Sequence, residues 1–298
     1  MPDEPSILSL LQDLDKFDDE KSKDTILKVP FAYPGGKSKS VQHILPLLPY
    51  RDAYIEPFGG SAAVLLSRHT SKLEVFNDRY AGVVAFYRVM RDKDKMEQFS
   101  DLIDLTIHSR EDFVYCHETW ETAQDDIQRA FRWYYMSAYS FGSMGRNFGR
   151  ATSSHGTLSG KIINKLELFP LIHERFRKVQ IENQDWYDCL IDYDRMGAVF
   201  YCDPPYLEAY AGAHKHIMTI DDHHALLTTV FNMKAFVAMS GYSNPLYEEQ
   251  PWDNRYEWES FVSLKSAAYT EGNKKAHLKH DDARQHATEV LWIKEAKI

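Results

Sequence analysis

A strand, a glycine turn, a helix and a second strand follow one another in this chain, and this unit most constrains the fold. The sequence predicts a strand at Ala53–Glu56, a turn at 57–60, a helix at 61–68 and a strand at 73–78. We expect Ser61 to cap the helix with its side-chain oxygen. Two strands that are joined through a helix run parallel, so the unit predicts a parallel sheet.

Short apolar segments continue this alternation of strands and helices along the rest of the chain. Further strands are predicted at 179–183, 198–202, 235–240, 261–267 and 288–293, with helices at 81–90 and 220–231. We expect Asp221 or Asp222 to open the second of these helices. The pattern is typical of a doubly wound α/β fold, and the chain has no internal repeat.

Composition limits the class of protein. With 298 residues, of which 44% are hydrophobic, the chain has room for one large α/β domain and a smaller insert. It has no apolar run near 18 residues and opens with acidic and polar residues, so we expect neither a membrane span nor a secretory signal. The cysteines, Cys116, Cys189 and Cys202, are far apart, which favours a reduced cytoplasmic protein over a disulfide framework or a zinc site.

The charge is unevenly distributed along the chain. The net charge is -9, yet the segment 127–166 contains no Asp or Glu and is rich in aromatic residues and glycine. Its basic side chains are Arg129, Arg132, Arg146, Arg150, Lys161 and Lys165. A basic segment within an acidic chain favours a nucleic-acid partner. If about six phosphates are neutralised, the logarithm of the affinity falls with the logarithm of the salt concentration at a slope of roughly -5.

The same features predict a division into segments. Residues 1–28 form an acidic extension with one short amphipathic segment. Residues 29–84 and 179–298 carry the predicted sheet. The segment 85–178 is an insert that is predicted to be mainly helical. Within it, the glycine- and serine-rich stretch 140–160 has almost no aliphatic residues and predicts a loop or an irregular region.

The strongest indication of chemistry is the tetrapeptide Asp203, Pro204, Pro205 and Tyr206, which follows a buried apolar strand. In open α/β sheets, ligands bind beyond the carboxyl ends of the strands. The two prolines have no N–H to donate, and their carbonyl groups remain free as acceptors. A carboxylate, a rigid carbonyl and an aromatic ring at one place fit an exocyclic amine on a flat base. A proline-rich turn that only closes a strand is the alternative.

Two glycine-containing motifs lie upstream. Glu56, Pro57, Phe58, Gly59 and Gly60 form a turn through which the backbone can approach a ligand closely. Asp78 lies 18 residues after Gly60, and an acid about 20 residues beyond such a turn binds ribose hydroxyls in dinucleotide sites. Tyr33 and Lys37 belong to the other motif, YPGGK, which lacks the spacing of a phosphate-binding P-loop. Taken singly, both motifs are also compatible with simple turns.

The order YPGGK, EPFGG, insert, DPPY resembles that of the DNA adenine methylase (Dam) family over roughly residues 31–293. A fourth feature is the acidic–aromatic pair Asp185 and Trp186, which precedes DPPY as in that family. The resemblance implies a Rossmann-like methyltransferase sheet, an inserted DNA-recognition subdomain and S-adenosylmethionine as methyl donor. The implied reaction is methylation of the exocyclic amine of an adenine that is flipped out of double-stranded DNA, without a metal.

The resemblance also implies residue roles. It implies a donor site formed by Tyr33, Lys37, Glu56, Pro57, Phe58, Gly59, Gly60, Asp78, Asp185, Trp186 and Asp203. In that site Lys37 lies near the methionine carboxylate, Asp78 binds the ribose, and Asp185 and Trp186 lie beside the adenine of the donor. The catalytic set is Asp203, Pro204, Pro205 and Tyr206. In it, Asp203 and the Pro204 carbonyl hold the target amine, and Tyr206 stacks on the base.

The chain departs from the family pattern at two places. Ala62 stands where the family often has a further glycine, and we expect altered packing there without loss of binding. The stretch 140–150 matches the family's recognition segment only loosely, so the target sequence GATC is not implied. The histidines near 214–224 resemble a metal cluster, but His223 and His224 fall at a predicted helix start, and we expect no metal site.

Alternatives from other classes remain. Cytosine-N4, an RNA base or a protein glutamine amide could be the methylated amine, although such enzymes tend to carry SPPY or NPPY where this chain has Asp203. An inactive nucleic-acid-binding module with the same fold is a further alternative, which the intact DPPY disfavours. Restriction–modification, replication marking and phage self-protection are all compatible with the sequence.

Overall fold

In the computed structural model, the described residues are 27–140, 143, 145–150, 158–207, 218–263 and 284–297, with the side chains of 158–161, 261–263 and 284–287 left aside. Most of the acidic extension and the residues 214 and 216 therefore lie outside the described part of the chain. No helix in the described part is both long and apolar enough to cross a membrane. The cytoplasmic location stays a prediction.

The described residues form one seven-stranded sheet with the order β3-β2-β1-β4-β5-β7-β6. Its strands are β1 (Ala53–Glu56), β2 (Leu73–Asn77), β3 (Gln180–Glu182), β4 (Ala198–Cys202), β5 (Phe236–Tyr242), β6 (Asn254–Ser263) and β7 (Arg284–Lys294). Strands β1 to β5 run parallel, and β7 pairs antiparallel with both β5 and β6. The doubly wound, Rossmann-like α/β architecture predicted from the sequence is confirmed.

The central strands bury both of their faces. Along β1, Tyr54 belongs to the hydrophobic cluster on one face of the sheet, whereas its neighbours Ala53 and Ile55 belong to the cluster on the other face. Along β4, Val199 and Phe200 divide in the same way. Successive side chains of a strand point to opposite faces, so a strand covered by helices on both sides reads as a continuous apolar run.

Helices cover the two faces and form the insert. They are α1 (Val41–Ile44), α2 (Ala63–Ser67), α3 (Ala81–Arg91), α4 (Lys93–Asp104), α5 (Arg110–Thr119), α6 (Asp126–Ala138), α7 (Leu158–Leu166), α8 (Phe169–Phe176), α9 (Trp186–Tyr193), α10 (Ile220–Asn232) and α11 (Pro245–Glu248). Side chains of Asp92, Ser109 and Asp125 cap the N-termini of α4, α5 and α6. These caps satisfy backbone N–H groups that have no partner within the helix.

The helices of the insert share a hydrophobic core with the sheet. Trp133 and Tyr134 of α6 and Phe99 of α4 belong to the same cluster as Phe76 of β2. The Trp133 ring lies so close to Gly82 of α3 that a Cβ atom there would be 2.2 Å from it. The helices between β2 and β3 are therefore built onto the sheet, and the role of 85–178 as a DNA-recognition subdomain stays a prediction.

Two predicted helix caps are wrong. Helix α2 begins after Ala62, whose φ of 54° is left-handed, and no side chain caps it. Ser61, the predicted cap, instead accepts a hydrogen bond from the Tyr87 hydroxyl at its carbonyl oxygen, at 2.7 Å. Helix α10 is capped by Thr219, which forms a capping box with Asp222, so Asp222 is the third helical residue and not the cap. Strand β6 also begins earlier than predicted, at Asn254.

Candidate active site

The residues of the three sequence motifs meet at the carboxyl ends of β1 and β4. These two strands are neighbours, and the chain proceeds from β1 to β2 on one side and from β4 to β5 on the other. The strand order therefore reverses between them, and such switch points form the ligand crevices of open α/β sheets.

The turn after β1 is held by backbone hydrogen bonds. The Gly59 N–H donates to the Asn77 carbonyl at 2.8 Å, and the Ala62 N–H donates to the Gly59 carbonyl at 2.8 Å. Gly60 has a φ of 50°, and a Cβ atom there would lie 3.1 Å from the Tyr33 ring. Glycine is thus required at this position both for its left-handed conformation and for the close approach of Tyr33.

Asn77, which the sequence reasoning missed, ties three segments together. Its side-chain amide donates to the carbonyl groups of Pro57 at 2.9 Å and Gln184 at 3.2 Å. Its side-chain oxygen accepts the Gln184 N–H at 3.0 Å. Asn77 is 1% exposed, so the turn after β1 and the segment after β3 are fixed to each other through one buried amide. A polar residue that ends an apolar strand is the sequence feature that could have identified it.

The carboxylate of Asp78 is buried and bonded to the backbone. It accepts the Gly60 N–H at 2.8 Å and the Tyr80 N–H at 2.7 Å. Burial raises the pKa of Asp78 to about 6, against the lowering effect of these two hydrogen bonds. A carboxylate oxygen has more than one lone pair, so these bonds leave acceptor capacity for a further hydroxyl group.

Lys37 forms an ion pair with Asp203 across the switch point. Its ammonium lies 2.8 Å from Asp203 Oδ1 and donates to the Gly35 carbonyl at 2.8 Å. The side chains of Lys37 and Asp203 are 4% and 17% exposed. The contact is an ion pair rather than an aligned hydrogen bond, because Asp203 Oδ1 is a buried atom without a hydrogen-bond partner among the described residues. The sequence motifs did not indicate this pairing.

Aromatic rings surround the ion pair. The Lys37 ammonium lies 4.9 Å from the centroid of the Tyr206 ring. Burial and the charges of Asp78 and Asp203 raise the pKa of the Tyr33 hydroxyl. Burial and the Asp203 charge likewise raise the pKa of Tyr206. Lys37, Asp203 and Tyr206 thus form one cluster, whereas the roles assigned to them from the sequence stay predictions.

Phe58 and Trp186 face each other beside the glycine turn. Their ring centroids are 6.5 Å apart and their planes differ by 25°. Asp185 lies next to Trp186, but its carboxylate caps α9 by accepting the Tyr187 N–H at 3.0 Å. It also pairs with Arg79 at 2.9 Å. The two aromatic rings are therefore stacked and partly buried, whereas the acidic member has structural partners.

Glu56 does not join the cluster around Asp203. Its carboxyl group is buried and accepts a hydrogen bond from the Tyr54 hydroxyl at 2.6 Å. Burial raises the pKa of Glu56 to about 8, although Arg68 and Arg175 act in the opposite direction. Glu56 was predicted to form part of the donor site, and its described side-chain contacts lie inside the protein core.

Three residues near Tyr206 were absent from the sequence prediction. Tyr242, at the end of β5, packs edge-on against the Tyr206 ring at 4.7 Å. Glu289 of β7 is 7% exposed, and its carboxylate lies 3.5 Å from the Tyr206 hydroxyl. His223 is buried beneath this group, where its Nδ1 atom lies 2.7 Å from the Tyr247 hydroxyl. Nothing in the sequence near Glu289 links it to DPPY, because the contact depends on how β7 inserts next to β5.

A family model for D12 class N6 adenine-specific DNA methyltransferases matches residues 33–273. The chain belongs to this family. The match contains all four motifs and confirms the resemblance from which the methyltransferase fold was predicted.

Two D12-like relatives and one solved structure show how far the similarity extends. The chain is 24% identical to the DNA adenine methylase of Salmonella typhi over 61% of its own length and 66% of that protein. It is 25% identical to the DNA adenine methylase of Serratia marcescens over 65% of its own length and 74% of that protein. The chain spans just under two thirds of the Salmonella relative. The rRNA methyltransferase aviRa from Streptomyces viridochromogenes aligns over 92% of this chain and 90% of its own, with 14% identity and a TM-score of 0.35.

Within this D12-family chain, the basic residues of the insert fall into two groups. Three of them donate hydrogen bonds to backbone carbonyl groups of this protein. The bonds run from Arg129 to Ala123 at 3.0 Å, from Arg132 to Thr119 at 3.2 Å and from Lys165 to Val29 at 2.7 Å. Arg146 and Arg150 are exposed and flank Phe148 in a short segment that pairs back to Ser140. The backbone of Lys161 lies in α7, and its side chain is outside the described set.

The segment with Arg146 and Arg150 is held by stacked rings. The His108 ring packs against Tyr139 at 4.8 Å and Phe148 at 4.6 Å, and the Arg110 guanidinium lies 4.6 Å from the Phe148 ring. These contacts hold the two exposed arginines on a folded turn. Among the residues that the structure describes, no three His, Cys, Asp or Glu side chains are grouped so as to hold a metal ion.

Proposed function

We propose that this chain transfers a methyl group from S-adenosylmethionine to the N6 amine of an adenine in double-stranded DNA. The observation that carries the proposal is the cluster at the switch point, where Asp203 is paired with Lys37 beside the Tyr206 ring. The membership of the D12 class family supports the same substrate and reaction.

The proposed donor site lies between the glycine turn, Lys37 and the Phe58–Trp186 pair. A flat ring that contacts both aromatic rings needs about 7–8 Å between them, given carbon–carbon contacts of about 3.5–4.0 Å. The centroids of the two rings are 6.5 Å apart, so the rings would have to move apart by roughly 1 Å to admit such a ring. Lys37 has three N–H donors, and its two described partners leave one for the carboxylate of the donor. Asp78 retains acceptor capacity for a ribose hydroxyl.

Bound S-adenosylmethionine supplies a methyl group that is already activated by the positive sulfur. The protein residues have to orient the amine of the base, whose lone pair is delocalised into the ring. Its two hydrogens bond to Asp203 and to the Pro204 carbonyl, which leaves the lone pair directed at the methyl carbon. With the donor bound, methyl transfer from its sulfur to the amine nitrogen would release one proton, which Asp203 or water would accept.

Extrusion of the base from the duplex accompanies this reaction. It costs a few kcal/mol of lost stacking and pairing, and stacking on Tyr206 returns roughly 1–3 kcal/mol. The exposed Arg146 and Arg150 are the described side chains that fit contacts with DNA, and we assign the insert 85–178 to target recognition. Arg129, Arg132 and Lys165 already bond to backbone carbonyl groups, so we expect them to shape the insert rather than bind phosphates.

The reaction is tested with purified protein, labelled S-adenosylmethionine and unmodified double-stranded DNA, followed by mass spectrometry of the nucleosides. N6-methyladenine is the expected product. N4-methylcytosine would shift the assignment to the cytosine amine, and label on RNA alone would shift it to an RNA base. Absence of transfer to all three substrates would indicate a binding module without activity.

The catalytic variants need a control for folding. Asp203→Ala leaves the buried Lys37 ammonium without its anion, and loss of one partner of a buried pair destabilises proteins by about 3–5 kcal/mol. The double variant Lys37→Met with Asp203→Asn removes both charges and should regain most of that stability. A folded but inactive double variant separates catalysis from folding. The matched control is Glu259→Gln, on the exposed face of β6.

A further inference from the structure

Two residues on neighbouring strands contact Tyr206 from different sides. Tyr242 of β5 and Glu289 of β7 are directly paired in the antiparallel register. Tyr242 packs its ring against Tyr206 at 4.7 Å with the planes at 76°. Glu289 places a carboxylate oxygen 3.5 Å from the Tyr206 hydroxyl. One cross-strand pair thus touches both the side of the ring and its polar tip.

Glu289 is an unusual residue for its position. It lies in an antiparallel strand next to apolar residues and is 7% exposed. Burial and the nearby Asp203 raise the pKa of Glu289, while Lys37 and the Tyr206 hydroxyl lower it. An ionisable group that is buried without a function would be replaced at little cost by an apolar one. The groups that face it are those of the proposed active site, which points to a role there.

We propose that Glu289 and Tyr242 position Tyr206, so that its ring lies parallel to the base whose amine is methylated. This inference rests on the proposed function and concerns residues that do not themselves touch the reacting atoms. Glu289 accepts a hydrogen bond from the Tyr206 hydroxyl and fixes the position of the tip of the ring, while the edge contact with Tyr242 limits rotation of the ring about its long axis.

The distance of 3.5 Å exceeds the 2.5–3.0 Å of normal O–H···O hydrogen bonds. Hydrogen bonds of active sites are often long in the free enzyme and tighten in the complex. A base that stacks on Tyr206 excludes water from the hydroxyl, which strengthens its bond to the carboxylate. The contact therefore contributes when the base is bound, and its loss should reduce kcat more than it raises the KM for DNA.

The test is a double-mutant cycle on kcat with double-stranded DNA. Glu289→Ala should lower kcat by about 10- to 100-fold, as expected for loss of a hydrogen bond to a charged group. Glu289→Gln keeps a neutral acceptor for the hydroxyl and should recover part of the lost activity. In a Tyr206→Phe background, which keeps the ring but lacks the hydroxyl, Glu289→Ala should have little further effect. Glu259→Gln on the neighbouring strand should match the wild type.

The outcomes separate this inference from the proposed function. If the wild type methylates adenine but Glu289→Ala costs the same factor with and without the Tyr206 hydroxyl, the positioning role is wrong. If Glu289→Gln has the same low kcat as Glu289→Ala, the effect arises from the charge of Glu289 and not from its hydrogen bond to Tyr206. That result also overturns the inference. A wild type that methylates no adenine contradicts the proposed function itself, and the positioning role is then overturned with it.

Discussion

Substitution of Glu56 by glutamine should change how the stability of the protein depends on pH. Glu56 is buried at the end of β1, and burial raises its pKa to about 8 from an ordinary value of 4.5. Arg175 is nearby, but its guanidinium forms a bidentate pair with Glu74 and is not available to neutralise Glu56. Glutamine keeps the acceptor for the Tyr54 hydroxyl and does not ionise.

The sign and size of the effect follow from the two pKa values. Between pH 4.5 and about 8, the folded chain keeps a proton on Glu56 that the unfolded chain has released. Stability therefore falls as the pH rises through this window, and above it the full loss is roughly 5 kcal/mol. The loss is about 2 kcal/mol at pH 6 and about 4 kcal/mol at pH 8. The free energy of unfolding of Glu56→Gln, relative to wild type, should thus increase by about 2 kcal/mol between pH 6 and pH 8.

Equilibrium unfolding in urea at pH 6 and pH 8 measures this difference. Asp78 has a raised pKa of about 6, so it also titrates at the lower end of this window. It is also present in both proteins and cancels in the comparison. Exposed Glu259 provides the control, because Glu259→Gln should leave the pH dependence unchanged. If wild type and Glu56→Gln respond in parallel to pH, within about 0.5 kcal/mol, Glu56 is not held protonated by burial and the reasoning is refuted.

Three further predictions concern the turn after β1 and the DNA interface. Asn77→Asp replaces a donor to two backbone carbonyl groups by an acceptor. It should lower the free energy of unfolding, measured in urea, by about 3 kcal/mol or more. An unchanged midpoint of urea unfolding would contradict the assigned orientation of the amide. Gly59→Ala would place a Cβ atom 2.1 Å from the Phe76 ring. Thermal unfolding should therefore show at least about 1–3 kcal/mol of destabilisation. A variant as stable as the wild type would show that the Phe76 ring can move. Arg146→Ala should reduce the slope of log DNA affinity against log salt concentration by about 0.9. Arg129→Ala should leave that slope unchanged and lower the melting temperature of the protein. Equal changes in slope for the two variants would indicate that both arginines bind phosphates.

The predicted architecture depends on patterns that are local in the sequence. Apolar runs at Ala53–Glu56 and Ala198–Cys202 predict buried parallel strands because both faces of such strands are covered. Glycine turns and DPPY lie directly after these runs, so their position at the carboxyl edge follows from chain order. The predicted cap failed at a backbone detail: Ala62 adopts a left-handed conformation and occupies the N-cap position of α2, so Ser61 lies one residue too early to cap it.

The basic residues of the insert show a different limit of sequence reasoning. The sequence assigned Arg129, Arg132, Arg146 and Arg150 to DNA together because all lie in a segment free of acids. The structure divides them, since the first two donate to backbone carbonyl groups and the last two are exposed. Net charge along a segment therefore predicts the kind of partner, but the availability of each guanidinium depends on which carbonyl groups folding brings near it.

The sequence by itself determined the doubly wound fold, the family and the position of the motifs at the carboxyl ends of β1 and β4. Hydrophobic period and residue order carry this information, because they decide which segments become strands and at which end of a strand each motif stands. Only the tertiary structure decided which side chains become partners: Lys37 with Asp203, and Glu289 with Tyr206. These contacts join residues that are far apart in the chain. They depend on strand register and on packing, which position each side chain. No local pattern in the sequence encodes these two properties.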